Sequence, residues 1–288
     1  MAIAGLKIIG ESLNDSIPST QKLYNANDIA GLMDLVRKQD EKGAAYIDVN
    51  VGRRSAEFMA DMVRKVQEVT SKPLSIDTPD RELARAGLKA YDRARAGGKI
   101  PILNSISPLR TGMFELYREQ PFMPILMVTE RVESGESKPN HTAEDIFETA
   151  RQMLKIAREY KIPNEELIFD PGIAPAASDA EGLLKATLGA MKLIHESPDF
   201  KGVHMSVGLS NFSHMLPSKT ASGQPVRGPL ESAFLTKAVP LGLDMVIGSV
   251  ARNYQILSPN HPAMKCIEAM LQAEGFDAIL CVKDFYSE

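Results

Sequence analysis

Eight short apolar runs alternate with stretches of helical periodicity from one end of this chain to the other, and no other feature restricts its fold so strongly. The runs are 6–10 "LKIIG", 45–49 "AYIDV", 73–77 "PLSID", 101–105 "PILNS", 123–128 "MPILMV", 166–170 "ELIFD", 203–207 "VHMSV" and 244–248 "DMVIG". Between them, 27–42 sets Ile29, Leu32, Met33 and Val36 on one helical face, and similar patterns occupy 55–70, 80–94, 142–160, 179–195, 229–240 and 262–274. The crossover at 108–119 is the least regular. Strands that are apolar throughout predict a parallel sheet covered by helices on both faces. Eight strand–helix units in 288 residues fit a single α/β domain over 1–288, closed as a (β/α)8 TIM barrel. A doubly wound open sheet is the alternative, weakened because no strand runs into the Gly-rich phosphate turn of a dinucleotide fold. The longest expected loop is 129–141, after the fifth strand.

Composition narrows the function classes. A formal charge of -4, with no long basic run, argues against nucleic-acid or anionic-membrane binding, which needs clustered Lys and Arg. The N-terminal "MAIAGLKIIGESLN" has no charged segment before its short apolar stretch and carries an early Glu11, so it reads as neither signal peptide nor membrane span. Cys266 and Cys281 match no metal spacing, and a reducing cytoplasm is the expected location.

Alignment of the strand ends brings out a polar pattern. The first strand leads to Glu11 and Asn14, the second to Asp48 and Asn50, the third to Asp77, the fourth to Asn104, the sixth to Asp170 and the seventh to Asn211. In a barrel these ends share one face, the face that carries the active site in this fold. Each Asp or Asn alone could cap a following helix. As a set they read otherwise, because each lies in or just after an apolar run, where an unpaired carboxylate is costly to desolvate. Carboxylates and amides without a cationic cluster suit a flat ligand rich in N–H donors, since a carboxylate accepts two parallel bonds from an aminopyrimidinone edge. A pterin is such a ligand.

Other chemistries find less support. His141, His195, His204, His214 and His261 form neither HxH nor HExxH spacing, so no zinc site is expected. "GLS" at 208–210 lacks the second glycine of a nucleophile elbow. Cys266 falls in the apolar pattern of the last helix and reads as core.

The ordered set "GESLN", "DVNVG", "SIDT", "ILNS", "FDPG" and "VGLSNFS" resembles the pterin-binding family of corrinoid-dependent methyltransferases. That family includes methyltetrahydrofolate:corrinoid/iron–sulfur-protein methyltransferase and the folate domain of cobalamin-dependent methionine synthase. The resemblance runs from about Lys7 to Cys281. It implies a dihydropteroate-synthase-like barrel that moves a methyl group between N5 of tetrahydrofolate and a corrinoid (cobalamin), in anaerobic one-carbon or demethylation metabolism. It implies that Asp77, Asn104 and Asp170 bind the pterin ring, with Asp48, Asn50, Asn14 and Glu11 beside it. Asn211 matches the amide that reaches toward N5 and is the expected catalytic residue.

The chain also departs from the family. His214 stands where one branch has Gln, and Ser249 where an acid sometimes closes the eighth strand; both belong to the expected rim. Lys219 and Arg227 follow Asn211 and could meet the folate tail or a partner, or simply be solvated. No "DxHxxG" cobalamin segment occurs, so a separate corrinoid-binding protein is the expected transient partner. The family also implies a homodimer. Two alternatives stand beside methyl transfer. Dihydropteroate synthesis would want the "DSFSDGG" signature and a basic diphosphate site, neither evident here, and a non-catalytic folate-binding protein would need only Asp77, Asn104 and Asp170.

Overall fold

The computed structural model describes residues 3–287; residues 1, 2 and 288 of the expected span lie outside the described residues. Its main sheet has eight parallel strands: β1 (Lys7–Gly10), β2 (Tyr46–Val49), β3 (Leu74–Asp77), β4 (Ile102–Ile106), β5 (Met123–Met127), β8 (Ile168–Asp170), β9 (His204–Met205) and β10 (Met245–Gly248). They are hydrogen-bonded in the order β10-β1-β2-β3-β4-β5-β8-β9. The parallel bridge Gly208↔Ile247 and the bond from Ile247 N to Val207 O (3.0 Å) join the last strand pair, so the sheet curls into a near-closed barrel. All eight expected strands are present. The strand expected at 203–207 is shortened to two residues, because the chain bends at Gly208 into the single turn α7 (Leu209–Phe212).

Helices α2 (Ile29–Glu41), α3 (Ala56–Val69), α4 (Arg81–Ala90), α5 (Ala143–Glu159), α6 (Leu183–Glu196), α8 (Arg227–Ala238) and α9 (Pro262–Gln272) fill the periodic stretches. Several start where the sequence offers a cap. Asp28, Ser55, Asp80 and Thr142 accept backbone N–H groups of the first turns of α2, α3, α4 and α5, satisfying donors that would otherwise lack partners. The irregular fourth crossover is a kinked 3₁₀ segment, Pro108–Arg118. Besides α7 and short 3₁₀ turns, the elements outside the expected set are α1 (Pro18–Asn25), α10 (Phe276–Ser287), and a hairpin of β6 (Glu130–Glu133) and β7 (Glu136–Pro139) inside the expected 129–141 loop. The hairpin is largely exposed and polar, so no apolar alternation announces it.

Two hydrophobic clusters divide the work of holding the barrel. Outward-facing strand residues such as Ile47, Val49, Leu74, Ile76, Leu103, Leu126, Phe169 and Val246 join the helices in the large cluster. A second cluster, Ile9, Ile102, Met123, Ile125, Ile168 and Met245 with Tyr46 and Ile247 against it, fills the inside. Strand side chains alternate faces with a period of two, so Glu11 follows Ile9 inward, Asp48 and Asn50 follow Tyr46, Asn104 follows Ile102, and Asp170 follows Ile168. The barrel is thus plugged with hydrocarbon and roofed with polar groups at the C-terminal strand ends.

Candidate active site

The roof contains a bonded acid–amide cluster. Asp77 Oδ2 accepts from Asn50 Nδ2 (2.8 Å) and, at the limit of hydrogen-bonding distance, from Asn14 Nδ2 (3.4 Å). Both amides are oriented from their oxygen ends, Asn50 Oδ1 by Gly52 N (2.9 Å) and Asn14 Oδ1 by Ser16 N and Oγ (2.9 and 2.7 Å). An Asn14↔Asn50 backbone bridge ties the two segments together. Next to this cluster Asp48 is fully buried, and neither of its carboxylate oxygens has a hydrogen-bond partner among the described residues.

Burial, reinforced by the neighbouring Asp77 charge, pushes Asp48 well above the usual carboxylate range. Burial also raises Asp77, while the Asn50 hydrogen bond opposes the rise. The donated amides favour negative charge on Asp77, whereas on Asp48 the opposing effect of Ser75 is outweighed by burial and the Asp77 charge. Of the two carboxyls, Asp48 is the one pushed further toward its neutral form.

Asp77 and Asn104 are register partners on β3 and β4, and Asn104 O accepts from Thr78 N (2.8 Å). Across the barrel, Asp170 Oδ1 accepts from Gly172 N (2.8 Å). Burial raises Asp170 to about 7, with the Gly172 bond opposing. Neither aspartate caps a crossover helix. Asp80 caps α4, and Asp179 receives Leu183 N and Leu184 N at the start of α6. The capping explanation thus fails for Asp77 and Asp170, and both carboxyls are left facing the mouth.

Gly172 holds Asp170 in place through its backbone. Its φ is +78°, and an added Cβ would lie 2.2 Å from Thr129 Cγ2. Gly172→Ala should therefore destabilise the protein by on the order of 2–3 kcal/mol, read as a lowered midpoint in denaturant titration. An unchanged midpoint would contradict the crowding.

Asn211 sits on α7, immediately after β9. Leu209 and Phe212 of that turn are fully buried while Asn211 is exposed, and its Nδ2 lies against Gly208, where a Cβ would be 2.9 Å away. Glu11, expected beside the ring, directs Oε2 to Ser210 Oγ (2.6 Å), one residue before Asn211; burial raises its pKa, opposed by Ser210 and the Arg252 charge. His214 and Lys219 are exposed on the segment after α7, where Lys219 bridges Pro225, and Ser249 is half-buried with Oγ accepting from Ala251 N (3.3 Å). Arg227 is committed to Leu216 O (2.9 and 2.6 Å). His204 Nδ1 contacts Asp244 Oδ2 (2.6 Å) at the opposite end of the barrel, a structural position.

One group escaped sequence reasoning: Ser213, Glu231 and Arg252. Glu231 on α8 is fully buried, with Oε1 bonded to Ser213 Oγ and paired with Arg252 Nη1. Glu231 lies in a stretch readable only as helix, and nothing in the spacing of 213, 231 and 252 joins them.

A barrel whose strand ends carry acids and amides has the chemistry to suit a flat, N–H-rich ring such as a pterin. Residues 13–248 match the model of the pterin binding enzyme family, and the chain belongs to it. It is 27% identical over 249 residues to the methylcorrinoid:tetrahydrofolate methyltransferase of Eubacterium limosum, with 83% of each chain covered. Its fold resembles the Yersinia pestis dihydropteroate synthase (TM-score 0.59, 15% identity, 93% of each chain). It also resembles the Xanthomonas albilineans dihydropteroate synthase in complex with 7,8-dihydropteroate (TM-score 0.54, 14% identity, 93% of each chain). No described helix is long and apolar enough to cross a membrane.

Proposed function

We propose that this protein transfers a methyl group from a methylated corrinoid, presented by a separate corrinoid-binding protein, to N5 of tetrahydrofolate. The observation that carries the reading is the exposed Asn211 amide on a turn at the mouth that also holds Asp48, Asn50, Asp77, Asn104 and Asp170. The acids and amides take the pterin ring. Asn211 supplies a neutral hydrogen-bonding group for N5 that does not depend on pH. The likeness to a methylcorrinoid:tetrahydrofolate methyltransferase supports both the substrates and the direction.

In that direction N5 attacks the methyl carbon. The Co–C bond breaks with its electron pair on cobalt, Co(III) becomes Co(I), and N5 loses its proton. In reverse, N5 leaves as an anion unless it is protonated or hydrogen-bonded as the C–N bond breaks. A group preorganised at N5 lowers the barrier both ways.

Synthesis of dihydropteroate is disfavoured, because releasing diphosphate calls for fixed cations. Arg252 at the end of β10 is neutralised by Glu231 and Arg227 is tied to a backbone carbonyl. The test mixes the protein anaerobically with tetrahydrofolate and methylcob(III)alamin and follows the visible spectrum. The expected result is formation of cob(I)alamin with equimolar 5-methyltetrahydrofolate. No conversion with either the free cofactor or a methylated corrinoid protein would overturn the proposal.

A further inference from the structure

We infer that Glu231 is a positioning residue which, with Arg252, Ser213, Ser210 and Glu11, forms a clasp that fixes the α7 turn so that Asn211 presents its amide at the mouth. The inference rests on the role given to Asn211 above. A single four-residue turn is too short to hold its own conformation, and α7 has no side-chain cap at its start. It is gripped from outside instead. Ser210, on one side of Asn211, donates to Glu11 at the end of β1 (2.6 Å). Ser213, on the other side and buried, donates to Glu231 on α8, and Arg252 after β10 reaches both Glu231 and Ser213 Oγ (3.4 Å). The hydrocarbon side of the turn is anchored as well, with Phe212 packed on Phe234 at 5.4 Å between ring centroids. Asn211 is left as the exposed side chain between two pinned serines.

The chemistry of Glu231 is hard to explain by core stability. A carboxylate buried to pair with a cation gains little over apolar side chains of the same volume; here the partner Arg252 is itself 25% exposed, and Glu231 Oε2 has no partner among the described residues. A directional contact to a serine hydroxyl does what an apolar residue cannot, because it sets the rotation of the turn. A misplacement of about 1 Å at a reacting group can cost about a hundredfold in rate.

The test measures single-turnover methyl transfer and tetrahydrofolate affinity for Ser213→Ala, Ser210→Ala and Glu231→Gln, each alone and combined with Asn211→Ala. Each single variant should slow transfer about tenfold while Kd moves less than about threefold, and none should slow the Asn211→Ala protein further. Ser213→Thr, which keeps the hydroxyl, should restore most of the rate. Equal losses in both backgrounds would mean a merely structural role and overturn the clasp, as would wild-type rates in both serine variants. If Glu231→Gln misfolds because Arg252 is left unpaired, the serine variants decide alone. A wild-type rate in Asn211→Ala itself would instead defeat the reading on which the clasp rests, and the clasp with it.

Discussion

Asn211→Ala should bind tetrahydrofolate with near wild-type affinity and transfer methyl groups two to three decades more slowly. The expectation follows from where the side chain is and what it lacks. Asn211 is exposed at the mouth and apart from the Asp77–Asn50–Asn14 cluster, so its removal leaves the ring-binding groups untouched. Its contribution arises as charge changes at N5. Loss of one transition-state hydrogen-bond donor typically costs about 3–4 kcal/mol. Stopped-flow single turnover and isothermal titration separate the two quantities. Parallel loss of binding and rate would assign Asn211 to ground-state binding, while an unchanged rate would remove it from the reaction.

Much of this arrangement is legible in the sequence. Continuous apolar strands and helical stretches establish the barrel, and period-two alternation places Glu11, Asp48, Asn50, Asn104 and Asp170 on the inward face above Ile9, Tyr46, Ile102 and Ile168. Which of these groups bond to each other is not legible. Asn50 and Asn14 both donate to Asp77 because loops bring Leu13–Asp15 beside Asn50, a contact that depends on backbone geometry rather than composition. Glu11 illustrates the limit: its place on the inner face follows from alternation, whereas its bond to Ser210, 199 residues away, depends on closure of the barrel between β9 and β10. The clasp is harder still. Glu231 carries its carboxylate into the interior from a helix that is buried nearly all round, so its sequence pattern has no polar face to mark the exception. The β6–β7 hairpin was missed for the opposite reason, being too polar to show strand alternation.

Asp170→Asn should make the protein more stable and nearly unable to bind pterin. Among the described residues the Asp170 carboxyl has one backbone donor, Gly172 N, and burial lifts its pKa to about 7 from an ordinary value of 3.8. The unfolded chain therefore gives up this proton at lower pH than the folded chain does. Stability from this group is greatest below pH 3.8, falls as pH rises toward 7 and stays low above it. About three pH units at about 1.4 kcal/mol each set an upper bound near 4 kcal/mol, and the partial exposure of Asp170 reduces the expected gain to about 2 kcal/mol at pH 8. Asparagine removes that cost and keeps an oxygen for Gly172 N. It also turns an N–H group toward the donors of the ring, so two charge-assisted bonds worth about 3–5 kcal/mol together are lost and affinity should fall by more than a hundredfold. In the wild type, ring binding requires the ionised carboxylate, so affinity should weaken below pH 7 by up to about tenfold per unit. Comparing the two proteins isolates the share of Asp170 from that of the Asp48–Asp77 pair. Denaturant unfolding and pterin titration from pH 5.5 to 8.5 measure both halves. Lower stability of Asp170→Asn at pH 8, or retained pterin affinity, would mean that this carboxylate is already satisfied within the protein and is not held in reserve for the ligand.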